Sequence, residues 1–231
     1  MKWSEERYEW VRMPSWWIHD NYDKSLLKAF DVRDKGGSIA ALMLYIMLCA
    51  RANQKATEDF KVGTARVTYD DICNATGMSR AMVSTGIDKL TSFGLISPVS
   101  YRKQNIYELI GHDEAPWAKL PKKHLYRGNK NGKIPVFIED FNLRSKNELN
   151  AIKLYCLLLA FRNNDTNTVH IGYESITEYS GIIGTEIRRA ISFLVNHGFI
   201  QMDKVLDEVT KKRSNRYEIC GLSHLHAGNR A

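Results

Sequence analysis

The chain of 231 residues is poor in the features that mark fibrous, disordered or membrane-spanning proteins. It has only 5 Pro and 15 Gly, and with 44% hydrophobic residues it cannot be collagen-like, of low complexity or wholly disordered. The longest apolar run, Ile39 to Ala50, has 12 residues, whereas a membrane span needs about 20. Glu5 and Glu6 lie where a secretory signal would be apolar. We therefore expect no membrane segment and a cytoplasmic location, in a bacterial cytoplasm or nucleoid.

The chain also lacks the motifs of common enzymes and metal sites. Its four cysteines, Cys49, Cys73, Cys156 and Cys220, are dispersed and form no CxxC pair. A zinc site or a disulfide framework needs clustered cysteines, and His224 and His226 near Cys220 make a poor ligand set. No GxSxG, Walker A, HExxH or dinucleotide fingerprint occurs. We expect reduced thiols, no metal, no cofactor and no enzymatic activity.

Positive charge is in excess, with 33 Lys and Arg against 26 Asp and Glu, for a net charge of +7. Such an excess favours an anionic partner. More than half of it lies in residues 111–133, which we call the basic linker. Its cations are Lys119, Lys122, Lys123, Arg127, Lys130 and Lys133. This segment either follows phosphates between two binding sites or is a solvated connection.

An internal repeat divides the chain into two similar parts. Residues 69–96 align with residues 173–200 at a constant offset of 104, and the flanking residues align at an offset of 110. The identities fall on apolar positions and turn glycines, among them Tyr69/Tyr173, Gly77/Gly181, Ile87/Ile191, Leu90/Leu194 and Gly94/Gly198. The repeat predicts a first domain over residues 1–110 with an aromatic N-terminal extension, the basic linker over 111–133, a second domain over 134–222 and a tail over 223–231.

In the first copy, capping signals and periodicity predict three helices. Ser38 is expected to cap a buried apolar helix from Ile39 to about Asn53. Thr68 and Asp71 form a capping box for a short helix that ends near Ala75. The turn at residues 76–78 leads to Ser79, which is expected to cap a longer helix with a buried stripe. The stripe residues are Val83, Ile87 and Leu90.

A predicted β-hairpin follows these helices, with strands over 95–99 and 106–110 and a basic tip. The second copy repeats the order: an apolar helix over 151–161, a short helix from Tyr173 and a longer helix with the stripe Ile187, Ile191 and Leu194. Its hairpin surrounds the basic residues 211–216. The two copies are therefore expected to share one fold.

This order of short helix, glycine-bearing turn, longer helix and basic hairpin resembles the winged helix-turn-helix superfamily in both copies. The resemblance implies a mainly α fold with small β-hairpin wings, arranged as two tandem winged helix-turn-helix domains. It also implies that the longer helices, residues 79–93 and 184–197, enter the DNA major groove and that the wings contact the backbone or the minor groove. The tandem arrangement is similar to that of plasmid and phage replication initiators.

The resemblance and the outward helix faces together give the candidate DNA-binding residues. In the first copy they are Ser79, Arg80, Ser84 and Thr85 on the helix and Arg102, Lys103 and Asn105 on the wing. In the second copy they are Thr185, Arg188 and Arg189 on the helix and Lys211, Lys212, Arg213 and Arg216 on the wing. Arginine can engage a guanine edge with two hydrogen bonds, whereas Ser84 and Thr85 can make only shorter contacts. The two copies are expected to prefer different half-sites.

Four tryptophans precede the first repeated unit: Trp3, Trp10, Trp16 and Trp17. They are interpreted as packing across the first domain, with a dimer contact or a base-stacking platform as alternatives.

The sequence thus predicts a protein that binds specific double-stranded DNA sequences, first as a replication initiator of a plasmid or phage. The alternatives are a transcriptional regulator with the same binding mode, a winged-helix scaffold that docks proteins, and a protein that binds structured RNA. Besides DNA, the expected partners are a second copy of the chain and host replication or transcription proteins, and none is a membrane.

Overall fold

The structure, a computed structural model, describes residues 8–19, 25–101, 104–114, 116–127, 131–206 and 213–222. Within these ranges the protein is mainly α-helical, with three small antiparallel sheets. No helix in them is long and apolar enough to cross a bilayer.

The elements of the first copy and the basic linker follow in chain order. They are β1 (Val11–Pro14), α1 (Trp16–His19), two 3-10 turns (Leu26–Ala29 and Val32–Asp34), α2 (Lys35–Arg51), β2 (Thr64–Arg66), α3 (Tyr69–Thr76), α4 (Arg80–Ser92), β3 (Ile96–Tyr101), β4 (Gln104–Leu109), β5 (Trp117–Leu120) and α5 (Lys122–Tyr126). The second copy contains α6 (Pro135–Asp140), α7 (Lys146–Ala160), β6 (Thr168–His170), α8 (Tyr173–Ser180), α9 (Gly184–Asn196), β7 (Ile200–Leu206) and β8 (Arg213–Ile219).

Both copies have the same order of elements and the same sheet topology. Each runs helix, strand, helix, helix, strand, strand, from α2 to β4 and from α7 to β8. The strand orders are β2-β4-β3 and β6-β8-β7, so the last strand of each copy lies in the centre of its sheet. Equivalent residues pair in the two hairpins, as Pro98 with Tyr107 and Met202 with Tyr217. The repeat seen in the sequence is therefore also a repeat of topology.

Helix α2 is the most deeply buried element of the first copy, with no accessible side from Gly37 to Ala50. It begins at Lys35, where the Asp34 carboxylate accepts a hydrogen bond of 3.1 Å from the Gly37 amide. The prediction that Ser38 caps this helix is therefore wrong by one turn. The Ser38 hydroxyl instead donates to the carbonyl of Asp31 at 3.2 Å, because the preceding 3-10 turn brings that carbonyl over the helix.

Helix α7 is the equivalent buried helix of the second copy and also begins earlier than its apolar run. Its N-cap is Ser145, whose hydroxyl accepts from the Asn147 amide at 3.1 Å. The predicted start at Ala151 is wrong because the polar first turns are buried with partners. The Glu148 carboxylate accepts from the Asn142 amide at 3.0 Å, and the Asn150 amide donates to Glu186 at 3.2 Å.

The basic linker is folded against the rest of the molecule. Strand β5 pairs antiparallel with β1 over four residue pairs, from Val11 with Leu120 to Pro14 with Trp117. Ala118, Leu120 and Leu125 are buried in the same hydrophobic cluster as α2 and α7. The alternative of a solvated connection is therefore wrong for these residues, because their apolar side chains cover the shared core, and the alternative that the linker cations follow phosphates stays a prediction.

Packing accounts for the tryptophans that the structure describes. Trp17 is fully buried and meets the ring of Tyr45 edge-on at a centroid distance of 5.4 Å. Trp10 stacks on Trp117 of the linker, with ring centroids 5.7 Å apart. The Trp16 indole donates to the carbonyl of Ile110 at 3.0 Å. Trp3 lies outside the described residues.

One buried cation joins the two copies. Lys153 on α7 is only 6% exposed, and its Nζ donates to the carbonyl of Phe30, in the first copy, at 3.0 Å. Burial lowers the pKa of Lys153 to about 8, and the nearby Asp31 carboxylate opposes that shift. The charged form of this lysine therefore costs free energy in the folded protein.

We predict that Lys153→Met changes how stability depends on pH. In the unfolded chain a lysine has a pKa of about 10.4, so between pH 8 and pH 10 the unfolded wild type binds more protons than the folded one. Stability of the wild type should therefore rise relative to the variant across this range, by about 1–2 kcal/mol. Urea unfolding at pH 7.5, 9 and 10 measures the difference, with the exposed Lys133→Met as control. A difference that stays constant with pH would contradict the prediction.

Candidate nucleic-acid interface

Local capping interactions fix the α3–turn–α4 unit of the first copy. The Thr68 hydroxyl accepts from the Asp71 amide at 3.1 Å, and the Asp71 carboxylate accepts from the Thr68 amide at 2.9 Å. Gly77 ends α3 in the left-handed region at φ 73°, which a glycine adopts without strain. The Ser79 hydroxyl accepts from the Met82 amide at 3.3 Å. The predicted capping box, turn and Ser79 cap are confirmed.

The α8–turn–α9 unit of the second copy has the same backbone but a different cap. Gly181 ends α8 at φ 71°. Ile183 then occupies the N-cap of α9 and supplies no side-chain hydrogen bond. Its side chain is 56% exposed, the largest exposed fraction among the large hydrophobic residues that the structure describes.

The outward face of α4 is largely exposed, but its cations are already paired. Ala81, Thr85 and Asp88 are exposed, Ser84 is half-buried, and the stripe residues beneath are buried. Arg80 forms an ion pair with Asp70 and lies over the ring of Tyr69 at 5.3 Å.

The remaining cation of α4 is also engaged within the first copy. The Lys89 ammonium contacts the Asp34 carboxylate and the Ser38 hydroxyl, and its side chain is only 17% exposed. All of α4 is described, and no cation on it lacks an anionic partner. Its outer surface thus presents hydroxyl groups, the Asp88 carboxylate and the exposed Arg80–Asp70 ion pair.

The outward face of α9 presents two arginines without an acidic partner in the part of the chain that the structure describes. Thr185, Arg188 and Arg189 are exposed, as predicted, above the buried stripe, and Ser192 is exposed beside them. Neither Arg188 nor Arg189 forms an ion pair with any residue that the structure describes. Glu186, the acidic residue nearest in sequence, is instead bound to Lys146 and Asn150. No described acidic residue therefore competes with an external anion for these two guanidinium groups.

These arginines border an open cavity of about 460 Å³ between α9 and the start of α7. Its polar lining consists of Arg188, Arg189, Ser192, Asn196, His197 and Asn147. Asn147 Oδ1 is a buried acceptor without a hydrogen-bond partner among the described residues. The arrangement offers cationic donors together with neutral hydrogen-bonding groups, which suits a base edge or a phosphate.

The candidate residues omit four polar residues of this cavity, which are Ser192, Asn196, His197 and Asn147. Asn196 follows Arg189 by seven residues, so helical spacing could have placed it on the same face. His197 is oriented by the Asp140 carboxylate, 3.1 Å from its Nδ1, and Asn147 lies on a different helix. No pattern within the sequence of α9 could have revealed these last two.

The structure describes only some of the residues that were predicted to contact DNA from the hairpins. Asn105 is exposed on β4, opposite Ser100. The side chains of Arg102, Lys103, Lys211, Lys212 and Arg213 lie outside the described part of the chain.

Two residues assigned to the second hairpin tip belong to a strand. Strand β8 begins at Arg213, so Arg213 and Arg216 pair with β7 rather than forming the tip. The Arg216 guanidinium binds the Asp203 carboxylate at 3.1 Å across the hairpin. The placement of Arg213 and Arg216 in the hairpin tip is therefore wrong, because the register pairs both with β7, and the DNA contact assigned to them stays a prediction.

No protein-family model matches the chain, and no curated protein matches it. The described residues contain no group of three or more His, Cys, Asp or Glu placed to hold a metal ion. The four cysteines are free thiols, and burial raises the pKa of Cys49 and Cys156.

We predict opposite effects of cap substitutions in the two copies. Ser79→Ala should lower the free energy of unfolding by about 1 kcal/mol because the Met82 amide loses its acceptor. Ile183 has nearly the same backbone conformation as Ser79, with φ −83° and ψ 156° against φ −71° and ψ 156°. Ile183→Ser should therefore stabilise the protein by about 0.5–1 kcal/mol. Urea unfolding tests both, and equal signs for the two changes would contradict the capping assignment.

Proposed function

We propose that the protein binds duplex DNA sequence-specifically through two winged helix-turn-helix units. The order of elements is the same in both copies, and each has a glycine in the left-handed region at the turn and a hairpin after the longer helix. A helix presented in this way fits the major groove of B-DNA, which is about 12 Å wide. The net charge of +7 favours a polyanion as the partner.

The observation that carries the proposal is the pair of exposed arginines on α9, for which the described residues supply no acidic partner. Arginine donates two parallel hydrogen bonds to O6 and N7 of guanine, a pattern that distinguishes guanine from other bases in the major groove. Arg188 and Arg189 are exposed on the face opposite the buried stripe and border a polar cavity. We assign base reading mainly to this helix.

The first copy is assigned a weaker reading role. Arg80 and Lys89 are held by Asp70 and Asp34, so α4 offers Ser84 and Thr85 for shorter contacts. The Thr85 hydroxyl already donates to the carbonyl of Ala81 at 3.1 Å, which leaves it mainly as an acceptor. Contacts from α4 and the first wing are therefore expected to orient the protein more than to select a sequence.

Replication initiation on a plasmid or phage is our first candidate for the biological output, on the strength of the tandem architecture. A transcriptional regulator would bind DNA through the same surfaces, so both outputs begin with one binding event. The two helix–turn–helix units could instead dock proteins, and that alternative is an outcome of the tests below.

Selection of bound fragments from random duplex DNA tests the proposal directly. We predict that Arg188→Ala or Arg189→Ala lowers discrimination at one base pair of the selected site by about 1–3 kcal/mol. The matched control is Arg80→Ala, an exposed helix arginine that is already paired, and it should change discrimination by less than about 0.5 kcal/mol. Fluorescence anisotropy on the site and on its single-base variants measures the difference. Equal losses on every sequence would refute the base-reading role.

Salt separates the DNA proposal from protein docking and from RNA binding. With about 6–10 phosphate contacts, affinity should fall by roughly 10³–10⁵ between 50 and 200 mM salt. Removing one wing cation by Lys212→Ala or Arg102→Ala should weaken binding to all duplexes alike and reduce the salt slope by about one.

Weak binding to every duplex without a footprint would favour a docking scaffold. Effective competition by duplex RNA would also count against the proposal, because the A-form major groove is too narrow for either helix.

A further inference from the structure

The basic linker is attached to the first copy through a strand and an arginine. Strand β5 pairs with β1 along its whole length. At the C-terminal end of α2, Arg51 Nε donates to the hydroxyl of Tyr126 at 2.8 Å. Its Nη2 donates to the carbonyl of Gly132 at 3.0 Å. One side chain of the first copy thereby holds two points of the linker.

The same linker is attached to the C-terminal end of α9 in the second copy. His124 Nε2 lies 2.7 Å from the carbonyl of Gly198, and Arg127 Nη2 donates to the carbonyl of His197 at 3.0 Å. Both carbonyls lie just beyond Asn196, the last residue of α9, and that of the C-cap His197 is one of the helix acceptors without an intrahelical donor. The positive charge of Arg127 is also favourable at this negative end of the helix dipole.

The fit of α5 against the second hairpin is close. A Cβ atom added to Gly221, just after β8, would lie 2.4 Å from Cβ of His124. Gly221 has φ 86°, so its backbone conformation also favours glycine. The linker therefore contacts both the reading helix and the base of the wing in the second copy.

Direct contacts between the copies reinforce these attachments. Lys153 on α7 donates to the carbonyl of Phe30, and His19 on α1 lies 3.1 Å from the carbonyl of Ala160. Helices α2 and α7 also pack together within one hydrophobic cluster. Any rotation of one copy against the other would break several of these contacts at once.

We propose that the basic linker acts as a rigid spacer that fixes α4 relative to α9, so the protein accepts a single spacing between its two DNA half-sites. Arg51, His124 and Arg127 are then positioning residues for specificity and touch no base. This inference rests on the proposed function. Its physical basis is the helical repeat of B-DNA, about 10–10.5 bp per turn. Each inserted base pair therefore rotates one half-site relative to the other, and a helix held rigidly in place cannot rotate with it.

The test uses the duplex site selected by the wild type, with 2, 5 or 10 bp inserted between its half-sites. A rigid protein places α4 on the wrong sequence at every inserted site, because even a full turn moves the half-site about 34 Å away. Affinity should then fall to that of a site with a scrambled α4 half-site, a loss of about 5- to 30-fold because α4 is the weaker reader. Wild-type binding that tolerates the insertions would overturn the proposal without any variant.

Variants of the linker test the positioning residues. The double substitution His124→Ala and Arg127→Gln should weaken binding to the intact site and flatten its dependence on spacing, while affinity for an isolated half-site stays unchanged. The matched control is Lys123→Gln, which removes the same charge from an exposed linker side chain that faces Glu9 rather than α9. It should retain the spacing dependence of the wild type.

The outcomes separate this inference from the proposed function. If the double variant keeps the spacing profile of the wild type, the positioning role is wrong. If the selected site is a single half-site and Arg188→Ala still changes its sequence, DNA reading stands and the spacer proposal fails. Absence of sequence-specific duplex binding overturns both.

Discussion

Two helices that are apolar on nearly every face are the constraint on which the structure depends. Helix α2 is buried from Gly37 to Ala50, and α7 is buried from Glu148 to Leu159. Covering each large apolar side chain contributes about 1.5–3 kcal/mol, so no side of either helix is left open to water. The second copy, the 3-10 turns and the basic linker supply the cover that one repeated unit lacks. The shared core therefore joins two similar units into one body.

Within that body the repeated units share their backbone and differ in charge. The cations of α4 are bound to Asp70 and Asp34, whereas Arg188 and Arg189 of α9 have no acidic partner among the described residues. Lys89 is largely buried against Asp34, while the exposed Arg80–Asp70 pair lowers what Arg80 gains from a phosphate or a base by about 1 kcal/mol at most. The proposal that α9 reads bases while α4 mainly orients the protein follows from this difference in charge, although the two units have the same topology.

Much of the fold could be predicted from short-range patterns. The Thr68 capping box, the Ser79 cap and the buried stripes all depend on residues within a few positions of each other, and each lies where the sequence places it. The prediction of where α2 begins failed because both Ser38 and Asp34 can cap a helix. Which of them does so depends on the conformation of the preceding 3-10 turn. The prediction of where α7 begins failed because its first turns are polar yet buried. The hydrogen-bond partners that allow this burial lie outside the helix.

The sequence by itself determined the two copies, their order of elements and the outward faces of their longer helices, because repetition and helical periodicity are properties of the chain alone. Only the tertiary structure decided which cations are free, that Asn147 and His197 join the cavity, and that the basic linker is folded between the copies. Each of these depends on distances between residues far apart in the sequence. Composition gives the charge of such a segment, and packing decides what that charge contacts.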